Sequence, residues 1–271
     1  MPNQWTMNEE TDPTRAKARK FGLYGLLEHW NEVKSNPWVS LLIEWEESER
    51  RNRSMQRRIH SARIGKFKPM ADYDWSWPKE IDREQIEEFF DLKWVQEGQN
   101  LILLGPNGIG KTMIAQNLAH EAVLRGFTVR FTSASNMLNE LVALDGPASL
   151  RRRLSQYCNP QLLCIDEVGY LSYDNRHADL LFEVISQRYG KCSILITTNK
   201  TFQQWNEVFP SAACLVTLVD RLIHHAEIAK IDGPSYRRKE AEEQAARMAQ
   251  ERSGRRRKRK ASEPPNESST P

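Results

Sequence analysis

Gly105-Pro106-Asn107-Gly108-Ile109-Gly110-Lys111-Thr112 is the stretch that decides the fold. It fits G-x-x-x-x-G-K-T, the glycine-rich loop that cradles phosphate. The apolar run Leu101-Ile102-Leu103-Leu104 precedes it and reads as a buried strand, and the residues from Met113 to Arg125 follow it with a helical pattern. Glycines let the backbone curl so that successive N–H groups face phosphate oxygens. The helix that follows adds the positive end of its dipole. Lys111 supplies a point charge for the β- and γ-phosphates, and the Thr112 hydroxyl is a ligand for Mg²⁺. The run from Gly105 to Met113 is therefore expected to bind ATP. The bland alternative, a chance glycine-rich turn, gives no reason for a strand and a helix to flank it.

Two further strand ends complete the expected site. Leu162-Leu163-Cys164-Ile165-Asp166-Glu167 is an apolar strand that closes on two carboxylates. In an open parallel sheet, ligands bind at that end. Asp166 is placed to hold Mg²⁺ through water, and Glu167 to act as the general base that polarises the attacking water. Without the phosphate loop upstream, the pair would read equally well as a surface Asp-Glu. Ser193-Ile194-Leu195-Ile196-Thr197-Thr198-Asn199 is a third such strand, and the Asn199 amide is expected to sense the γ-phosphate or the water. On its own Asn199 would read as a turn residue.

Outward from these motifs, strands alternate with helices. Asp82 opens a helix with Gln85 three positions on, as in a capping box, and Gly98 stops it. A strand at Phe127–Phe131 follows the phosphate-loop helix, then short helices near Ser135–Leu144 and Pro147–Tyr157. Helices at Asn175–Tyr189 and Ser211–His225 and a strand at Glu227–Ile231 complete the pattern. This alternation, with its chemistry at strand ends, predicts a three-layer α/β core around a parallel sheet.

The 271 residues carry 39 Lys and Arg against 36 Asp and Glu, a net charge of only +3, but the distribution is uneven. Between positions 50 and 68, eight basic residues stand with no acidic one: Arg50, Arg51, Arg53, Arg57, Arg58, Arg63, Lys66 and Lys68. Such a stretch calls either for polyanion contacts or for acidic cover nearby. Arg151-Arg152-Arg153 is a smaller basic cluster in the core. Both are rich in Arg and Lys and poor in Asn and Gln, so duplex DNA would be met at its phosphates rather than at its base edges.

The N-terminal region is helical in pattern. Phe21, Leu23, Tyr24, Leu27, Trp30 and Val33 recur at helical spacing, and Pro37 suits the first turn of a new helix. Trp38, Leu41, Leu42 and Trp45 give that helix an apolar stripe. Tyr73, Trp75 and Trp77 read as anchors of an extended link onto the core. The organisation expected is a helical domain over 1–70, a linker and docking helix over 71–98, the ATPase core over 99–238 and a charged, largely disordered tail over 239–271. Within that tail, Arg255 to Lys260 is all basic and reads as a sequence-blind DNA arm; a nuclear-localisation reading matches such runs too often to distinguish it. Cys158, Cys164, Cys192 and Cys214 lack C-x-x-C spacing and suggest neither disulfide nor zinc, which fits a reducing cytoplasm. No apolar run is long enough to span a membrane, and the N-terminus lacks an apolar signal core.

The chain resembles the IstB family, the AAA+ ATPases encoded beside DDE transposases in bacterial insertion sequences. The likeness is carried by the phosphate loop, by Cys164-Ile165-Asp166-Glu167-Val168-Gly169-Tyr170-Leu171, and by Leu181-Phe182-Glu183-Val184-Ile185-Ser186-Gln187-Arg188-Tyr189. Ile196-Thr197-Thr198-Asn199 and Asp220-Arg221-Leu222-Ile223-His224-His225 add to it. It runs from about Phe21 to Arg238 and implies an AAA+ core behind a small all-helical N-terminal domain. It further implies ATP-driven homo-oligomers on duplex DNA that deform the DNA and recruit or activate a transposase. Arg221 matches the arginine that reaches a neighbouring subunit's γ-phosphate; from the residues alone it reads as a helix-surface arginine paired with Asp220. No helical lid domain is evident, which leaves Arg237 as a possible sensor. A helicase loader of the DnaC type would share this core and differ in its N-terminal partner-binding unit. An adaptor with a relic ATP site is disfavoured by intact Lys111, Thr112, Asp166 and Glu167.

Overall fold

The computed structural model describes residues 12–210 and 212–261, the side chains of 250–261 excepted. The basic run Arg255–Lys260 and the segment beyond Ala261 lie outside the described side chains and residues. The chain divides into two compact units, one ending at Ser61 and the other starting at Ala62.

The first unit is helical. Asp12 caps α1 (Pro13–Lys20) by accepting from the Thr14 and Arg15 amides, and Pro13 suits the first turn. Gly22, with φ +71°, ends that run, and the apolar residues that follow fall into two short helices, α2 (Tyr24–Glu28) and α3 (Trp30–Val33). The long α4 (Pro37–Ala62) closes the unit. Its core is Ala18, Trp30, Val39 and Ile43, with Phe21, Leu26 and Leu27 packed around them. The stripe read from sequence is corrected here. Trp38, Leu41, Leu42 and Trp45 are 48%, 46%, 36% and 66% exposed, whereas Val39 and Ile43 are buried. This helix is apolar on two faces, and α1–α3 cover only one.

The second unit is a mixed α/β layer structure. Its six-stranded sheet has the order β1-β6-β2-β5-β4-β3. The strands are β1 (Glu80–Ile81), β2 (Asn100–Leu104), β3 (Val129–Ser133), β4 (Leu162–Val168), β5 (Ser193–Thr198) and β6 (Ala226–Asp232). Only the β1–β6 pair is antiparallel. Alternation along β2 sends Leu101 and Leu103 to one face and Ile102 to the other, so each face has its own buried cluster. One face is covered by α5 (Arg83–Phe89), α6 (Lys93–Gln96) and α7 (Lys111–Leu124); the other by α8 (Ala134–Val142), α9 (Pro147–Cys158), α10 (Asn175–Arg188), α11 (Trp205–Val208) and α12 (Leu215–Ile223). The three-layer core expected from the strand–helix alternation is present.

Local differences have local causes. Asp82 accepts from the Gln85 amide as its spacing suggests, but that helix is interrupted. Leu92, fully buried and left-handed at φ 57°, splits it into α5 and α6 before Gly98. After β6 the chain enters α13 (Tyr236–Ala261), a helix where a largely disordered tail was expected from 239. Lys239 of α13 bonds the Asp74 carboxylate at 3.2 Å, and Lys68 bonds that of Glu240 at 2.9 Å.

Buried Arg188 fastens one end of the sheet. Its guanidinium donates to the carbonyls of Tyr157, Cys158, Pro160, Gln161 and Ser193. The end of α9 and the starts of β4 and β5 are thereby held by one side chain.

Candidate functional site

Chain order puts the phosphate loop at a switch point of the sheet. From β2 the chain crosses to the β3 edge, returns through β4 and β5, and then passes to the other side of β2 as β6. The loop after β2 therefore lies between two strands whose connections run opposite ways, where open α/β sheets bind ligands. Gly110 has φ +99°, and a Cβ there would lie 2.5 Å from the Tyr73 ring, so backbone conformation and space both demand glycine. The loop is held from both sides. The Tyr73 hydroxyl donates to the Ile109 carbonyl at 3.1 Å, and the Tyr236 amide donates to the Gly108 carbonyl at 2.8 Å. Burial pushes the Tyr73 phenol up to about 12, which keeps it a donor.

Lys111 begins α7 and is only 4% exposed. Its ammonium donates to the carbonyls of Gly105 and Pro106, each at 2.7 Å. Burial lowers this lysine to about 8; the Asp166 carboxylate opposes the shift, the Arg237 charge adds to it, and Glu167 again opposes it. A cavity of about 220 Å³ opens beside Lys111 and Thr112, walled by Met113, Tyr170, Tyr236 and Arg237. Lys68, counted from sequence among the basic DNA candidates, lies on this wall.

The two carboxylates owe their placement to an irregularity in the sheet. Ile165 pairs with Ile196 but Val168 pairs with Thr198, so β4 carries one residue more than β5. In an unbroken strand, Asp166 and Glu167 would face opposite sides. The bulge puts Glu167 in the left-handed region at φ 62°, and both carboxylates act on the Lys111 ammonium. Bulges and left-handed non-glycine residues of this kind cluster at functional sites. Asp166 accepts from the Thr112 hydroxyl at 3.1 Å and from the Thr197 hydroxyl at 2.5 Å, while the Glu167 amide donates back to the Thr197 oxygen at 2.9 Å. Thr197 thus ties both acidic residues to β5, a role that sequence reasoning missed. The available signal was the hydroxyl pair Thr197-Thr198 that closes the apolar run Ile194–Ile196. Asn199 follows β5; its Oδ1 is buried, has no hydrogen-bond partner among the described residues, and would lie 3.2 Å from any Cβ at position 169, where the chain has glycine. Thr112 and Asp166 present converging hard oxygens, the donor type that suits Mg²⁺ with water and phosphate completing its shell.

Arg221 is elsewhere. It lies on α12 and lines a crevice with Gly98, Asn100 and Gly190. This is the N-terminal end of β2, where the Asn100 side chain donates to the Leu222 carbonyl. Five residues of strand separate that end from the phosphate loop, a rise of about 16 Å. The pairing with Asp220 that the residues alone suggested is not formed among the described residues; the guanidinium lies over the rings of Phe182 and Tyr189 instead.

The basic residues are divided between the two units. On α4, Arg50, Arg51 and Arg53 pair with Glu46, Glu47 and Glu49, each one helical turn earlier, and Arg58 donates to Ser54. Acidic cover therefore exists, although exposed pairs of this kind contribute little to stability. Arg57, Arg63 and Lys66 are exposed and take part in no ion pair among the described residues. Arg63 borders a second cavity, of about 430 Å³, together with Arg130 and Glu140. Arg151 and Arg152 are exposed on α9, and Arg153 bonds the Glu140 carboxylate. No helix among the described residues is long and apolar enough to cross a membrane, and they contain no cluster of three or more His, Cys, Asp or Glu placed to hold a metal.

Compared with known proteins, residues 19–244 match the family described as IstB-like ATP binding protein. The ATP-binding protein of insertion sequence IS5376 from Geobacillus stearothermophilus is 33% identical over 210 residues, covering 78% of this chain and 84% of that protein. The ATP-binding protein of IS21 from Pseudomonas aeruginosa is 34% identical over 209 residues, 77% of this chain and 79% of its own. Among solved structures, a crystal structure of DnaI aligns with a TM-score of 0.50 at 20% identity, covering 62% of this chain and 89% of that one. At that identity the likeness concerns the fold alone.

Proposed function

The chain belongs to the IstB-like ATP-binding protein family, and from that premise we propose that it is an ATP-hydrolysing helper of DNA transposition. The observation that carries the hydrolytic reading is the bulge that turns Glu167 beside Asp166, next to Lys111 and Thr112. Gly105 to Met113 bind the triphosphate, with Lys111 as its countercharge. Thr112 and Asp166 hold Mg²⁺, which when bound neutralises charge on the β- and γ-phosphates. Glu167 takes the proton of the attacking water, Thr197 orients both acidic residues, and Asn199 offers its amide to the γ-phosphate or the water. Arg221, remote from its own phosphate loop, serves the nucleotide of a neighbouring subunit, so turnover requires a homo-oligomer. The test is phosphate release with and without duplex DNA, compared between wild type and the variants discussed below.

The relatives named above are ATP-binding proteins of insertion sequences, and this chain is read as serving such an element in the bacterial cytoplasm. In this reading it assembles on duplex DNA with ATP, deforms the duplex and recruits or activates the element's DDE transposase. An integrase-type transposase gene beside its own is the expected genomic companion; a helicase operon in its place would favour a helicase loader.

Two predictions arise here. The first concerns pH. The free Lys111 ammonium loses its proton as pH rises through about 8, whereas a bound triphosphate holds that proton on. ATP affinity should therefore be steady below pH 8 and fall above it, by up to about tenfold per pH unit. Titration with a fluorescent ATP analogue from pH 7 to 9.5 checks this, and a flat profile would refute the role given to Lys111. The second concerns DNA. Replacing Arg57, Arg151 and Arg152 by Glu should weaken binding to unrelated duplexes alike and flatten the salt slope by roughly 0.9 per lost phosphate contact. Affinity measured over a salt series on two duplexes decides it. A loss confined to one duplex would mean base readout, and an unchanged slope would mean ordinary solvated surface.

A further inference from the structure

We propose that Phe182 and Tyr189 are positioning residues that hold the Arg221 guanidinium in readiness for a neighbouring subunit's nucleotide. The inference rests on the reading of Arg221 as the arginine that acts in trans. The Arg221 Cζ lies 5.1 Å from the centroid of the Phe182 ring and 5.8 Å from that of Tyr189. The two aromatics are seven positions apart along α10 and its cap, two helical turns, so both rings stand on one face and the arginine reaches them from α12.

The cradle is itself braced. The Tyr189 hydroxyl and His224 Nδ1 are hydrogen-bonded at 2.5 Å, and the two rings stack at 5.9 Å with 22° between their planes. His224 is the C-cap of α12, one turn from Arg221, so the same tyrosine ties α10 to the helix that carries the arginine. Beside Tyr189, Arg188 fixes the end of α10 through its set of carbonyls.

An aromatic holder suits this task better than a carboxylate. A carboxylate would neutralise the guanidinium and occupy the N–H fork, and both would have to be undone before a phosphate could bind. A ring face attracts the cation through its quadrupole and leaves the N–H edges free. No ion pair among the described residues engages Arg221, although Asp220 is its neighbour in sequence. Holding the long side chain in one place beforehand removes the ordering cost from the moment of assembly.

The test uses the full chain, assembled on duplex DNA with ATP. Phe182→Leu and Tyr189→Leu keep an apolar side chain and remove the ring. Each should lower kcat about three- to tenfold, with KM for ATP unchanged. Phe182→Trp and Tyr189→Phe, which keep a ring, should restore most of the rate. In an Arg221→Ala background the leucine replacements should cost nothing more, because the group they position is gone. Wild-type turnover of both leucine variants would overturn the proposal. So would an equal loss in the Arg221→Ala background, which would mark the rings as packing alone. Wild-type turnover of Arg221→Ala itself would overturn the trans reading, and the proposal with it.

Discussion

Arg221→Ala is expected to bind ATP normally as an isolated subunit and to lose hydrolysis in the assembly by about a thousandfold. That is the lower range for removing an arginine that stabilises charge on a transferring phosphoryl group. The expectation follows from where the residue sits. It lies at the N-terminal end of β2, and its own phosphate loop follows the C-terminal end. A guanidinium there cannot reach the phosphates of its own chain, so the catalytic role proposed for it requires a neighbouring subunit. Mixing Arg221→Ala with Lys111→Ala protein separates the two contributions. The first supplies an intact phosphate loop and the second an intact arginine, so mixed assemblies should recover part of the turnover that neither variant has alone. Hydrolysis unaffected by Arg221→Ala, or a wild-type rate at dilutions where only monomers persist, would remove the residue from the mechanism.

Glu167→Gln should bind ATP at least as tightly as the wild type and turn it over about a hundredfold or more slowly, the usual cost of losing a placed general base. Glutamine preserves the shape of the side chain and the amide that donates to Thr197. It removes the carboxylate, and with it one negative charge near the triphosphate. The variant should therefore trap the ATP-bound state. Nucleotide binding and phosphate release, measured on the same preparation, check both halves. Wild-type phosphate release would reassign the base.

Much of this site is legible in the sequence. The phosphate loop and Asn199 each follow an apolar strand and Asp166 lies toward the end of one, and strand, loop and helix are local patterns that sequence spacing resolves. What escaped depends on pairing between distant segments. Nothing in Asp166-Glu167 announces that β4 gains a residue against β5, so the left-handed Glu167 and the clasp of Thr197 were out of reach. The sockets of Arg188 lie on three other segments, and its burial could not be read from its own neighbourhood. On α4 the periodicity of Trp38, Leu41, Leu42 and Trp45 was real, but period alone does not say which of two apolar faces meets the rest of its unit. The acidic cover of Arg50, Arg51 and Arg53 is the alternative that the basic stretch itself leaves open. Glu46, Glu47 and Glu49 stand one turn upstream, just before the run of basic residues begins.

The grip of Tyr73 and Tyr236 on the phosphate loop joins the outermost parts of the second unit at one point. The pocket is thus a knot in the folding sense: its shape exists only after segments far apart in the chain have met. Any opening of either flank, whether by fraying of α13 or by release of the stretch around Tyr73, dissolves the pocket along with it. Ligand and fold are then linked, and ATP at a hundred times its dissociation constant adds about 2.7 kcal/mol against such opening. In the reading proposed above, a bound nucleotide is in this sense a reversible fastener, and its departure would loosen the ends of the unit that carries it.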